Sequence, residues 1–277
     1  MLQNTAAVLP KMRQDKKCVV AFNVYNLETI QAAFTAAQQK CVPVIIAFGE
    51  GYLNHASLDT IAAMVMSLDK AHDLPVVLHL DHAKSFSTIK AAIEAGFTSV
   101  MYDGSHLPFA ENAANTAAVV EYAHQRGVTV EAELGYLNPE EGADFAAFGP
   151  ESFTDPEQAR RFVEETGVDS LAVAVGNAHG LYKHQPTLDI ARIRHISEAT
   201  GIPLVLHGSS GIPKEQLRAA AEAGIAKINV NTEVSLAAVG ALRQACGEDS
   251  KIRLDAVMRQ AREAMVGVMA EFLELTT

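Results

Sequence analysis

One arrangement recurs along this chain and limits what it can fold into: an Ala- and Glu-rich stretch ends at a glycine, and a short linker leads into an apolar, β-rich segment. It begins at Gly96 (GFTSVMYDG), Gly127 (GVTVEAELG), Gly167 (GVDSLAVAVG), Gly201 (GIPLVLHG) and Gly224 (GIAKINVN). Glycine accepts the left-handed backbone that follows a helix, and the apolar residue after it folds back on the last helical turn. Each instance is therefore an αβ junction. Earlier strands are expected at 19–24 (VVAFNV), 43–49 (PVIIAFG) and 76–81 (VVLHLD), which brings the series to eight. Between strands run helical patterns such as 155–166, where Asp155 caps, Pro156 takes the first helical position, and Ala159, Phe162 and Val163 form an apolar stripe. Eight β-then-α units with near-continuous apolar strands predict an α/β fold, a single (β/α)8 TIM barrel, in preference to an open doubly wound sheet.

The length permits this. Such barrels take roughly 250 residues, so the 277 residues are expected to form one domain spanning 1–277. The longest apolar runs, Val42 to Phe48 and Leu171 to Val175, fall far short of the roughly 18 residues of a bilayer span, so no membrane partner is expected. Lys11, Arg13, Asp15, Lys16 and Lys17 come after the first mildly apolar residues, which is not the order of an export signal, and a cytoplasmic location is expected. Cys18, Cys41 and Cys246 are widely spaced and lack a CxxC pattern, which suits reduced core thiols better than disulfides. A net charge of −11 argues against a nucleic-acid partner, and any anionic ligand needs a local positive site. The stretch from Tyr136 to Phe153 is longer than a βα loop needs, and its glycines, acids and Pro139 read as a mobile lid.

In a barrel of this kind the functional face is where strands end. The third strand finishes His79-Leu80-Asp81-His82, the fourth Asp103-Gly104-Ser105, the fifth Glu131-Ala132-Glu133, the sixth runs into Asn177-Ala178-His179-Gly180, the seventh ends His207-Gly208-Ser209-Ser210-Gly211, and the eighth Asn229-Val230-Asn231-Thr232. His72, His124 and His195, by contrast, fall in helices or loops and read as solvated or packed. A single strand-end histidine is more often a satisfied core residue than a ligand. Together, His82, His179 and His207 read as three imidazoles on one divalent ion, with a coordination position left open as in catalytic zinc sites, where the ion works as a Lewis acid. Strict alternation points His79 and Asp81 inward and His82 the other way, so a turn that ends the strand is expected at His82, and His79 is expected to be structural. Asp103 and Glu133 read as groups that orient the histidines, as ligands of an alternate metal position, or as ordinary solvated or ion-paired carboxylates. The turns at Gly180, Gly208 to Gly211 and Asn229 to Thr232, with Pro213 opening the next helix, suit phosphate, although each alone is ordinary turn chemistry.

The segments HLDH (79–82), MYDGSHLPF (101–109), VEAELG (130–135), SLAVAVGNAHG (170–180), LVLHGSSG (204–211) and KINVNTE (227–233) resemble the metal-dependent class II ketose-bisphosphate aldolases, in the tagatose- and fructose-bisphosphate branch, over nearly the whole chain. The resemblance implies a zinc-dependent lyase that cleaves a ketose (bis)phosphate, such as tagatose- or fructose-1,6-bisphosphate, into dihydroxyacetone phosphate and an aldehyde through a metal-stabilised enediolate. It implies one Zn2+ per subunit on His82, His179 and His207, with a monovalent cation (Na+ or K+) nearby, and Asp81 exchanging a proton with the C4 hydroxyl. Glu141 matches the lid acid that moves the C1 proton, with Asn138-Pro139 in place of the usual glycine pair. Asn23, Gly180, Gly208, Ser209, Ser210, Asn229, Val230, Asn231 and Thr232 are implied to hold the substrate. Arg259 falls where an arginine from a neighbouring subunit meets the distal phosphate, in a homodimer or homotetramer. Where relatives carry a hydroxyl residue after the second strand, this chain has Phe48-Gly49-Glu50, so a polar contact to the substrate carbonyl is expected to be missing. Three alternatives stay open: the same chemistry on another phosphorylated or longer-chain ketose, a non-catalytic sugar-phosphate-binding subunit, and a Schiff-base aldolase, for which Lys227 is the obvious strand lysine.

Overall fold

The computed structural model describes residues 1–135, 153–178, 180, 182, 185–249 and 251–277. Strands β1 (Val19–Asn23), β2 (Val44–Gly49), β3 (Val76–Ala83), β4 (Ser99–Tyr102), β5 (Thr129–Leu134), β6 (Ser170–Val173), β7 (Leu204–Leu206) and β8 (Ile225–Val230) pair in parallel in chain order, and β8 closes on β1. Helix α1 (Leu9–Gln14) precedes the sheet. Helices α2 (Leu27–Lys40), α3 (Leu58–Asp69), α4 (Phe86–Ala95), α5 (Phe109–His124), α6 (Pro156–Thr166), α7 (Ile190–Thr200) and α8 (Lys214–Ala223) alternate with the strands, and α9 (Thr232–Glu248) and α10 (Leu254–Phe272) follow β8. This is the expected (β/α)8 barrel. No helix among the described residues is long and apolar enough to cross a membrane.

Local chemistry sets the boundaries. Asn26 and Thr29 form a reciprocal capping box at the start of α2, the Asp155 carboxylate accepts from Gln158 N ahead of α6, and Asp189 accepts from Arg192 N ahead of α7. All five junction glycines take positive φ, from 67° at Gly167 to 130° at Gly224. At Gly224 space matters as well, since a Cβ there would stand 2.3 Å from Ser197 Oγ.

Alternation along each strand separates two cores. Outward residues such as Phe22, Phe48, Leu80 and Val130 pack under the helices and are fully buried. Burying each such side chain contributes roughly 1.5–3 kcal/mol. Inward residues fill the barrel in layers. At the strand starts, Val8, Leu9 and Met12 from and beside α1 pack on Val19, Ala21, Ile45, Ala47, Val77 and Ala226, sealing that end with hydrocarbon. Met101, Ala172 and Val205 form the apolar contact above. What remains inside, toward the strand ends, is almost wholly polar.

Candidate active site

The first correction to the sequence reading lies in β3. The strand does not end at Asp81 but runs through Ala83, which pairs with Tyr102. His82 instead adopts left-handed backbone, φ 48°, and the register between β3 and β4 slips between Leu80 and Ala83. A bulge of this kind interrupts alternation without ending the ladder. Two consecutive side chains, Asp81 and His82, therefore reach the same mouth.

His82 Nε2 lies 2.9 Å from His207 Nδ1, and the two rings meet edge to face at 4.6 Å. The other nitrogen of His82 is 3.0 Å from Asp103 Oδ2 and 3.9 Å from Glu133 Oε2. The other nitrogen of His207 is 2.8 Å from Glu131 Oε1. With that nitrogen donating to the carboxylate, His207 Nδ1 is left with its lone pair facing His82. Glu131 Oε2 in turn accepts from Lys227 Nζ at 2.7 Å, and Lys227 Nζ lies 3.3 Å from His79 Nε2, whose Nδ1 is 2.8 Å from Ser99 Oγ. His79 and Lys227 are fully buried and Glu131 nearly so. His79 is thus structural, as expected. The Lys227 amine is committed to an ion pair inside the barrel, which removes the Schiff-base alternative, since that chemistry needs an amine free to attack a carbonyl. Sequence reading did not find the role of Glu131. Its signal was the two-residue spacing from Glu133, which puts both carboxylates on the inward face of β5.

Asp81 accepts from Asn23 Nδ2 at 2.8 Å and from Asn229 Nδ2 at 3.1 Å. Burial alone would raise its pKa, but the positive charge of His82 first, with His207 and the buried Lys227 ammonium adding to it, outweighs burial and holds the carboxyl well below the usual carboxylate range. Burial opposes the charge on His82 too, yet Asp81 and Asp103 push its pKa up to about 9. Glu133 is pushed up to about 8, by burial first and then by the like charge of Asp103.

Two groups of ligand atoms, each within 4.8 Å, share His82: Asp81, His82 and His207, and His82, Asp103 and Glu133. Glu133 Oε2 is buried with no hydrogen-bond partner among the described residues, a situation that costs about 1–3 kcal/mol unless a cation or donor meets it. The facing nitrogens of His82 and His207, with the Asp81 carboxylate within the same group, fit a divalent ion of the zinc type, while Asp103 and Glu133 lie by the other nitrogen of His82. His179 and Glu141 lie outside the described residues, as do residues 136–152 of the expected lid.

Of the residues expected to meet substrate, Asn23, Gly180, Gly208, Ser210, Asn229, Asn231 and Thr232 line one cavity with Asp81, His82 and His207. Tyr182 braces its glycine-rich side, accepting from Ala178 N and donating to Gly208 O, both at 2.8 Å. Ser209 turns its hydroxyl back to Leu206 O, the Val230 side chain is packed in the outer core, and Arg259 is exposed on α10 outside this cavity. The Asn231 side chain is engaged by two tyrosines: Tyr25 donates to its Oδ1, and its Nδ2 donates to the Tyr52 hydroxyl at 3.4 Å. Tyr52 was not singled out from the sequence, yet it brings a hydroxyl into the mouth from the segment after β2, where a polar group was expected to be missing.

Residues 3–277 match the family model described as fructose-bisphosphate aldolase class-II. The fructose-bisphosphate aldolase of Geobacillus stearothermophilus is 44% identical over 273 residues, covering 96% of this chain and 94% of that protein. That of Staphylococcus aureus is 43% identical over 270 residues, covering 94% and 93%. Among solved structures, the YdjI aldolase from Escherichia coli K12 superposes with a TM-score of 0.89 at 35% identity, covering all of this chain and 97% of the other.

Proposed function

Because the chain belongs to the class-II fructose-bisphosphate aldolase family, we propose that it is a zinc-dependent aldolase that reversibly cleaves a ketose (bis)phosphate, such as fructose- or tagatose-1,6-bisphosphate, into dihydroxyacetone phosphate and an aldehyde. The observation that carries this reading is the shared orientation of Asp81, His82 and His207 into one polar mouth.

Asp81 is the proposed acid–base residue. Two amide donors fix its oxygens and nearby imidazoles favour its ionised form, so it is ready to accept the proton of the C4 hydroxyl. As that proton leaves, the C3–C4 bond breaks, the C4 oxygen becomes the aldehyde oxygen, and the bond electrons pass into the donor fragment. In condensation Asp81 returns the proton to the new C4 oxygen. His82, His179 and His207 would hold a divalent ion, which would supply positive charge to offset the negative charge gained by the donor fragment. Glu141 is proposed to move the C1 proton. Gly180, Gly208 and Ser210, with Asn229 to Thr232 at the start of α9, are proposed to hold the donor phosphate, because a helix N-terminus favours an anion. A monovalent cation beside these turns, a single catalytic domain over 1–277 and a homodimer or homotetramer complete the reading. The three free cysteines suit a cytoplasmic location.

The experiment is direct. Zinc-loaded protein is incubated with fructose 1,6-bisphosphate and, separately, tagatose 1,6-bisphosphate, and the release of dihydroxyacetone phosphate is followed before chelation, after chelation and after zinc is restored. Release that stops on chelation and returns with zinc is expected. Release that survives complete metal removal would overturn the metal-dependent reading.

A further inference from the structure

The seam between β6 and β7 pairs only from Leu171 with Leu204 to Ala172 with Val205, the shortest ladder among the described strands. Both chains then run on to the mouth, one to Gly180 and the other to Gly208, and these two glycines line the same cavity. With no ladder to hold them there, the two turns need other ties if they are to meet one ligand.

Side chains supply them. The buried Asn177 accepts from Val175 N at 2.8 Å and donates to His207 O at 3.0 Å. Farther along both chains, Gln216 accepts from Leu188 N and donates to Pro186 O, both at 2.9 Å. Between these ties comes Tyr182, whose hydroxyl spans from Ala178 N to Gly208 O. We propose that Tyr182 is a positioning residue for the donor phosphate: its phenol fastens the turn after β6 to the turn after β7, so that Gly180 and Gly208 present one preformed cradle to the anion. The inference rests on the aldolase reading above and deepens its donor half.

Both partners of the phenol are backbone groups. Ala178 lies two residues before Gly180, and Gly208 is itself a turn glycine, so the hydroxyl sets a distance between main chains and not the direction of a side chain. The ring extends the same unit. A Cβ on Gly211 would stand 3.2 Å from Tyr182 Cδ2, so the ring lies against the end of the β7 turn. Gly211 N in turn donates to Glu233 Oε1 at 2.7 Å, in the first turn of α9. The turns after β6, β7 and β8 are thereby joined through Tyr182 and Glu233. Donors fixed before an anion arrives bind it more tightly than donors that must be ordered on binding. The phosphate is also unchanged as the C3–C4 bond breaks, so loosening its cradle weakens ground state and transition state alike and is read in KM.

The test uses zinc-loaded wild type and Tyr182→Phe, which keeps the ring against Gly211 and removes only the hydroxyl. Exchange of the C1 proton of dihydroxyacetone phosphate is followed, since it needs no aldehyde. The variant is expected to raise KM about tenfold and to change kcat by about twofold at most. Its zinc affinity, measured by chelator competition, is expected to move by about twofold at most. In the ligand-free wild type the Ala178 amide is expected to exchange with deuterium at least about tenfold more slowly than an unstructured amide, and to lose that protection in the variant. A KM within about twofold of wild type would overturn the inference. So would a fall in kcat or in zinc affinity matching the rise in KM, because the phenol would then support the metal site or the fold at large. An unprotected Ala178 amide in the wild type would overturn it without recourse to the variant, as the cradle would not be preformed. Absence of C1 exchange in the wild type would reject the aldolase reading and this inference with it, whereas exchange together with any of the overturning results rejects this inference alone.

Discussion

Asp81 and Lys227 are both nearly or wholly buried charges inside the barrel, but they are compensated differently and their loss has different consequences. Asp81 has two amide donors and the imidazoles around it, so Asp81→Ala is expected to fold, to retain zinc measured by metal stoichiometry, and to lose orders of magnitude in kcat. Near-normal turnover would remove it from the mechanism. Lys227 offsets Glu131 at 2.7 Å with both side chains inaccessible to water. Lys227→Met strands the Glu131 carboxylate and is expected to destabilise the fold by about 3–5 kcal/mol in urea titration, with much of the loss recovered in Lys227→Met/Glu131→Gln. Of the three thiols expected in the core only Cys18 is buried, and burial pushes its pKa up to about 12. Half of it would be thiolate only near that pH, so at pH 8 iodoacetamide is expected to label the exposed Cys41 and Cys246 and to spare Cys18 until the protein is denatured.

At the scale of elements, the αβ junctions differ in what they ask of their glycines. Gly201 has φ 71° with open space around it, whereas Gly224 has φ 130° and Ser197 against it. Gly201→Ala is expected to cost about 1 kcal/mol, from backbone conformation alone, and Gly224→Ala at least roughly twice that, as read from urea midpoints. These junctions were legible in the sequence because the left-handed requirement is local to the glycine. The inward reach of His82 was also expected, but its cause was not: the sequence reading placed a turn there, because a β-bulge is decided by pairing with β4, some twenty residues on, and leaves no mark in β3 itself. Tyr52 escaped for a related reason. Its position depends on an absent side chain at Gly49, where a Cβ would stand 3.1 Å from Tyr52 Cε2, and on Asn231 from the far end of the chain, and neither is visible from its own neighbourhood.

For the whole molecule, the eight repeated units and the polar strand ends together located the site, because barrel geometry brings every strand end to one face. What strand periodicity could not supply was the connection across the lumen. Glu131 on β5, His207 after β7 and Lys227 on β8 meet only once the sheet has closed, and no linear spacing encodes that meeting. A ligand that bridges elements from different parts of the barrel stabilises the closed form by linkage. At free zinc near 100 times its dissociation constant this contributes about 2.7 kcal/mol, so chelation is expected to lower the thermal midpoint by several degrees in differential scanning calorimetry.

The left-handed backbone at His82 bears on how an ion held there would come and go. The direction of this imidazole is settled when β3 zips onto β4 across the slipped register, so capture of the ion freezes little that folding has not already frozen. For an ion held there, fraying of that one seam would swing the ring out of the lumen, so the rate of metal loss is expected to rise with opening of the β3–β4 edge.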